Sequence, residues 1–279
     1  MLPSFQENRK MEHRIEVTCV EGVAVVRLDR ADKMNAIDAD MFWALADVGE
    51  RLAKDSDLRA VVLCGRGPAF CAGLDVAGLD VLSNRRAFLP FTDLTQRSHG
   101  IANWAQHVVW QWRELPVPVI AAVHGVALGG GFQLALGADI RYAAADARFG
   151  VIETRWGLVP DMAGTQLMRH LAREDIVREL TYTARVFSAQ EALDYGFVTR
   201  VVDDPYAQAM ATAREIATHS PDAIRAAKRL LNGAVSRDAA AGLEAETAEQ
   251  AQLLGSPNQI EALRAGRDGR GPNFVRPAA

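Results

Sequence analysis

Apolar and polar positions along this chain fall into short runs of two kinds, one with the period of a strand and one with that of a helix. "RIEVTCVEGVAVVRLD" (14–29) holds two β-rich runs broken at Glu21-Gly22, which predicts a hairpin. Residues 38–55 place Met41, Leu45, Val48 and Leu52 on one helical face, with Asp38 positioned as the N-cap. "RAVVLCG" (59–65) and "VPVIAAVHG" (117–125) are unbroken apolar runs, the pattern of strands covered on both faces. "ADIRYAAA" (138–145) and "GFVTRVV" (196–202) predict further strands. Helical spacing dominates after residue 163, and residues 204–279 read as nearly all helix before the Gly/Pro-rich end "GRDGRGPNFVRPAA". The whole predicts an α/β core followed by a helical appendage, without internal sequence repeats.

Composition narrows the function classes. The 279 residues provide interior for one large domain or two small ones. With 31 basic and 35 acidic residues the net charge is -4, which argues against a nucleic-acid-binding surface. No run approaches the ~20 apolar residues of a membrane span. Residues 1–12 have no apolar signal core and carry Glu7 and Glu12, so they read as a disordered leader on a cytoplasmic protein. Cys19, Cys64 and Cys71 lack the paired spacing of a zinc site or disulfide framework, which fits a reducing compartment. The six histidines (13, 99, 107, 124, 170 and 219) show no two-ligand spacing, so no metal is expected.

One segment carries chemistry. "VALGGGFQLALGAD" (126–139) sets Gly129 to Gly131 where an apolar helix must begin. Glycine is costly to order there, so the triplet serves either tight helix–strand packing or a backbone that a ligand must approach. The first N–H groups of a helix lack intrahelical partners and sit at the positive end of its dipole. The spacing matches neither phosphate-binding fingerprint, which leaves an oxyanion hole as the chemical use. A second loop of small residues, "GRGPAFCAGLDVAGLD" (65–80), also follows an apolar strand and could donate a second N–H to the same oxygen.

At these loops the chain resembles the crotonase (enoyl-CoA hydratase/isomerase) superfamily. The matching stretches are "DRADKMNAID" (29–38), "GPAFCAGLDV" (67–76), "VPVIAAVHGVALGGGFQLALGADIRYAAADARFGVIE" (117–153), "GLVPDMAGTQLMRHL" (157–171) and "FSAQEALDYGFVTRVV" (187–202). The resemblance implies a spiral of ββα repeats over residues 13–203, with residues 204–279 building homotrimers or hexamers that are dimers of trimers. It implies an acyl-CoA thioester as substrate, with no separate cofactor. The oxyanion hole falls on the N–H groups of Leu74 and Gly130. Coenzyme A would lie against Lys33, Met34, Ala36, Ala72 and Asp75, although small loop residues and a turn aspartate also arise for structural reasons alone.

The acids decide the reaction. In the hydratases that this chain resembles, two glutamates flank the substrate, one just after the triplet and one 20 positions later. The second is present as Glu153, whereas the first position holds Gln133, an amide with no proton to exchange near neutral pH. Asp161 follows eight residues after Glu153, and this pair resembles that of the Δ3,5-Δ2,4-dienoyl-CoA isomerases. Those isomerases carry an acid at the position of Gln133 as well, so the amide departs from both groups; the resemblance favours catalysis by Glu153 and Asp161, with Gln133 contacting substrate or a carboxylate. Against this stand structural alternatives: Asp161 as N-cap of a helix at 163–172, and Glu153 in an ion pair with Arg148 or Arg155. The aromatics Phe88, Phe91, Trp104, Trp110 and Trp112 fit an acyl-binding wall and plain packing equally. Double-bond isomerisation leads, ahead of enoyl-CoA hydration, a single-acid isomerase using Glu153, and a CoA-binding protein of little or no activity.

Overall fold

The computed structural model describes residues 14–75 and 94–277; the leader at 1–12 and the aromatics Phe88 and Phe91 lie outside the described residues. Strands β1 (Ile15–Val20) and β2 (Val23–Leu28) form the expected antiparallel hairpin, with Val20 opposite Val23. Glu21 and Gly22 both take positive φ, at 52° and 77°, the twist that a two-residue turn needs. Helix α1 (Ala39–Ala53) is capped by the Asp38 carboxylate, which accepts from the Met41 N–H at 2.9 Å. Its Met41, Leu45, Val48 and Leu52 are buried, each contributing about 1.5–3 kcal/mol.

The main sheet continues with β3 (Ala60–Gly65), β4 (Val119–Val123), β6 (Ile140–Ala143) and β9 (Arg200–Val201), in the order β1-β2-β3-β4-β6-β9. All pairings beyond the hairpin are parallel. A second sheet comprises β5 (Val126–Leu128), β7 (Arg148–Gly150) and β8 (Val186–Ser188). The chain thus climbs in turns. Each main-sheet strand, β4 then β6, is followed by a short strand of the second sheet, β5 then β7. After β3 a single bridge, Cys71 to Ala127, stands in for that short strand. This is the expected spiral, and it brings the loop after β3 beside the loop after β5.

Parallel strands need cover on both faces. Along β3, Val61 and Leu63 point into the main core with α1, α2 (Trp104–Glu114) and α3 (Gly130–Gly137). Ala60, Val62 and Cys64 point the other way, into a second cluster closed by Ala209 and Ala213 of α7 (Pro205–Ala217). Helix α7 is therefore part of the core. The sequence boundary at 203 places it in the appendage, a difference that arises because the need for a second covering layer is invisible along the chain.

Between β7 and α7 come a 3-10 turn (Glu153–Trp156), α4 (Gly164–Met168), α5 (Glu174–Thr183) and α6 (Ala189–Tyr195). The last helices are α8 (Pro221–Ala234), α9 (Ala239–Leu253) and α10 (Pro257–Asp268). Helix α8 is anchored by the buried Lys228, whose Nζ donates to the Trp112 and Val117 carbonyls and to Asp139. Trp112 itself is fully buried core, while Trp104 is half-buried, edge-on to Trp43 and His99.

Candidate active site

Two loops meet at the start of α3. Gly73 has a φ of +89°, and a Cβ placed on it would lie 2.4 Å from the Leu128 carbonyl oxygen and 3.4 Å from the Gly130 nitrogen. A Cβ on Gly131 would lie 2.2 Å from the carbonyl oxygen of Cys71. Only glycine permits this approach. The triplet's second role follows from hydrogen bonding. A parallel bridge joins Ile37 to Leu74 and uses the Gly73 carbonyl and the Asp75 N–H, at 2.7 and 3.0 Å. Such a bridge turns Leu74's own N–H away from that strand. Gly130 is the first residue of α3, so its N–H has no acceptor within the helix. Two backbone donors, from Leu74 and Gly130, thus border one crowded junction.

Asn35 braces that junction. It is fully buried, with φ +55°; its carbonyl oxygen Oδ1 accepts from Arg30, and Nδ2 donates to the Arg66 and Ala69 carbonyls. Lys33 and Met34 lie exposed in the adjoining turn, and the Met34 carbonyl accepts from the Ala72 N–H at 2.9 Å. Ala36 is buried, and its carbonyl accepts from Arg30. Asp75 pairs with Arg30 at 2.6 Å. The five residues expected around coenzyme A therefore form one contiguous rim, in which Asp75 is held by an ion pair.

Of the two acids, Glu153 lies against the first glycine of the triplet. A Cβ on Gly129 would sit 3.4 Å from Glu153 Oε1, so the carboxyl borders the same loop. Glu153 is 8% exposed, and no arginine pairs with it among the described residues; Arg148 donates to backbone carbonyls instead. Its Oε1 accepts from Gln133 Nε2 at 2.5 Å, and its Oε2 is buried without a partner. Burial pushes the Glu153 carboxyl above its usual range. Hydrogen bonds from its own backbone N–H and from Gln133 oppose the rise, and the charge of Asp161 adds to it.

The Gln133 oxygen is itself saturated. Oε1 accepts from the Met162 and Gly164 N–H groups, each at 2.9 Å. Asp161 caps no helix: α4 starts at Gly164, and its N-cap is Ala163 at φ +66° without a side-chain cap. The Asp161 side chain is open to solvent, yet protein crowding lifts its carboxyl above the usual range. The two structural alternatives for the acids, the ion pair and the cap, are therefore absent.

The arrangement offers hydrogen-bond donors for a developing oxyanion, one carboxyl of raised proton affinity, Glu153, beside the glycine loop, and a second, Asp161, whose charge Glu153 feels. A family model described as enoyl-CoA hydratase/isomerase matches residues 18–274. The chain belongs to the enoyl-CoA hydratase/isomerase family. It is 31% identical to mouse mitochondrial methylglutaconyl-CoA hydratase, over 97% of this chain and 86% of that one. It is 36% identical to mouse mitochondrial Delta(3,5)-Delta(2,4)-dienoyl-CoA isomerase, over 80% of this chain and 69% of that one. Among solved structures, a putative enoyl-CoA hydratase from Streptomyces coelicolor A3(2) superposes with a TM-score of 0.86 at 29% identity. That match covers 99% of this chain and 98% of the other. Among the described residues no helix is long and apolar enough to cross a membrane.

One grouping escaped the sequence. Glu50 of α1, His107 of α2 and His99, which precedes α2, bring ligand-type atoms within 4.8 Å of one another. The two imidazoles stack face to face, with centroids 3.8 Å apart and planes 10° apart, so their in-plane lone pairs run side by side instead of converging on one point. Burial, then the neighbouring His99, holds His107 at a pKa of about 4. A spacing of eight residues between the histidines gives no ligand signal, and Glu50 is remote in sequence.

Proposed function

We propose that this protein shifts double bonds in enoyl- or dienoyl-CoA thioesters by proton transfer through an enolate. The N–H groups of Leu74 and Gly130 receive the thioester oxygen as it gains negative charge, where preorganised donors count most. Glu153, beside the glycine loop, takes the proton alpha to the carbonyl through its unpaired Oε2. The electrons spread over the carbonyl and the conjugated chain. Asp161 then returns a proton farther along: in a 3,5-dienoyl-CoA the C2–H bond breaks, a C6–H bond forms, and the double bonds move to positions 2 and 4. The coenzyme A portion rests on the rim of Lys33, Met34, Ala36, Ala72 and Asp75, with no separate cofactor.

The observation that carries this reading is that Glu153 keeps a second acid, Asp161, whose charge it feels, while Gln133 supplies none. The Gln133 amide is committed on both ends, so the position where the hydratases place a second glutamate here exchanges no proton. Asp161 is the remaining second acid. The substrate panel is 2-enoyl-, 3-enoyl- and 3,5-dienoyl-CoA followed by ultraviolet absorbance, with Asp161→Asn as the deciding variant. It should lose roughly 100-fold or more in dienoyl-CoA turnover while retaining thioester binding. Unchanged turnover in all three assays returns the chemistry to Glu153 alone.

Hydration of a 2-enoyl-CoA is the second reading, favoured by the hydratase names of relatives that match over nearly the whole chain. It predicts 3-hydroxyacyl-CoA formation that outpaces any double-bond shift. Self-association into trimers through α8–α10 belongs to the same proposal. Leu231, Leu243 and Leu263 on these helices, and Leu254 at the end of α9, stand exposed where a partner subunit would cover them. Light scattering that gives the mass of one chain would remove it. The three free thiols, Cys19, Cys64 and Cys71, fit the reducing environment of cytoplasm.

A further inference from the structure

The geometry assigns Gln133 a role of its own: we propose that it is a positioning residue, a strut that fixes the Glu153 carboxyl and the Asp161 segment relative to one another. The inference rests on the proton-shuttle reading above. Its basis is a chain of hydrogen bonds whose direction admits one arrangement. Gln133 Oε1 accepts from Met162 and Gly164, which lie one and three residues after Asp161. A flipped amide would set its NH2 against those two N–H donors, so Nε2 faces Glu153. There it donates to Oε1 at 2.5 Å and leaves Oε2 as the one carboxyl oxygen free to move a proton. A single amide therefore connects the Glu153 carboxyl to the backbone that follows Asp161. The strut is tightly fitted. A Cβ on Gly164 would come within 2.5 Å of Gln133 Oε1, and Gln133 is 1% exposed.

An amide suits this work because its donor does not titrate. A carboxyl in the same cradle would keep one oxygen on the Met162 and Gly164 N–H groups and turn the other toward Glu153. The two carboxyls would then share one proton at low pH and repel one another once it is lost. This difference supplies the test.

Gln133→Glu should approach wild-type turnover at the acid end, where the shared proton replaces the amide donor. It should fall about 10-fold or more below wild type as pH rises and that proton leaves. Gln133→Leu removes the donor altogether. Its kcat should fall on the order of 10- to 100-fold with KM little changed, the cost of misplacing a reacting group by a fraction of its reach. If the leucine variant does not fold, the glutamate variant carries the test.

Exchange of solvent deuterium into the alpha carbon of an acyl-CoA, followed by proton NMR, reads Glu153 and the hole without Asp161. Exchange by wild type but not by Gln133→Leu supports the strut. A folded Gln133→Glu protein whose pH profile overlays that of wild type overturns it. If wild type itself exchanges no alpha proton, the proton-shuttle reading fails. The strut is then judged by the Glu153 titration midpoint, from carbon-13 NMR of labelled glutamate. That midpoint must rise in Gln133→Leu, and an unmoved midpoint sinks the strut as well. If exchange is normal and only Asp161→Asn is silent, the strut stands and the two-acid shuttle falls.

Discussion

Gly73→Ala tests whether the junction between the two loops is the seat of catalysis. A Cβ at this position lies 2.4 Å from the Leu128 carbonyl oxygen, whereas an ordinary carbon–oxygen contact is about 3.4 Å. Neither partner can yield by rotating a side chain, since the obstacle is backbone. The loop carrying Leu74 must therefore retreat by roughly 1 Å from the loop carrying Gly130. The φ of +89° adds a conformational cost on the order of 1–3 kcal/mol for any residue with a side chain. For a chain of this size that lowers the melting temperature by roughly 2–4 °C per kcal/mol, leaving a protein still folded at 25 °C. The catalytic effect is larger than the structural one. Loss of one oxyanion donor costs about 10²- to 10³-fold in kcat, roughly 3–4 kcal/mol of transition-state stabilisation. The assay pairs steady-state turnover of an enoyl- or dienoyl-CoA with a thermal melt and with binding of a non-reactive acyl-CoA. Wild-type kcat in a folded Gly73→Ala protein would refute the assignment of Leu74 and Gly130.

Two further outcomes are expected. Glu153→Gln should abolish most turnover yet stabilise the protein at neutral pH. Burial raises the folded-state pKa of Glu153, so its protonated form gives stability that is present below the unfolded value, about 4.3, and is lost as pH rises through the folded one. Each unit of upward shift is worth about 1.4 kcal/mol, so the variant's advantage in a thermal melt should be clear at pH 7 and close near pH 4; an advantage independent of pH would contradict the cause given. Asn35→Ala should cost about 3 kcal/mol in chemical denaturation, because it strips partners from the Arg66 and Ala69 carbonyls and forces alanine to a φ of +55°. Equal unfolding midpoints would show that the brace is dispensable.

The hairpin and α1 were legible in sequence because local chemistry decides them: a positive-φ pair at Glu21-Gly22 and a capping aspartate ahead of an apolar stripe. The glycine loops were legible for the same reason, since only glycine tolerates the approach that Gly73 and Gly131 make. Strand β8 was not. Val186 to Ser188 pair with β7 across nearly 40 residues, in a stretch whose spacing reads as helix. Helix α7 was assigned outside the core because the face it covers belongs to strands far away along the chain. The acids show the limit most clearly. Asp161 ahead of a predicted helix has the look of a cap, and the helix instead begins after Ala163 in a left-handed conformation, which moves the cap position off the aspartate. Nothing in the residue type of Gln133 reveals which end of its amide faces Glu153; that is set by two N–H groups 29 and 31 positions away.

The neutral amide also changes the electrostatics of the pocket. A third carboxylate at position 133 would sit against Glu153 in a buried, weakly screened place, and such groups resist ionising together. Two of them would share one proton at low pH and repel one another once it is lost. With Gln133 the pocket keeps two acids, each raised chiefly by its own desolvation, and the charge of Asp161 is felt at Glu153. A pair of this kind passes through a state that holds a single proton between its members. That is the state a double-bond shift requires, because the reaction removes one proton, returns one proton, and leaves the enzyme ready for the reverse transfer. Hydration makes a different demand, since the group that takes a proton from water must sit beside the group that delivers one to carbon. On the proposed reading, the position nearest Glu153 holds a donor instead of an acid. The prediction that Asp161→Asn removes isomerisation follows from this accounting, as does the expectation that the pH profile of turnover is bounded on both sides by the two carboxyls.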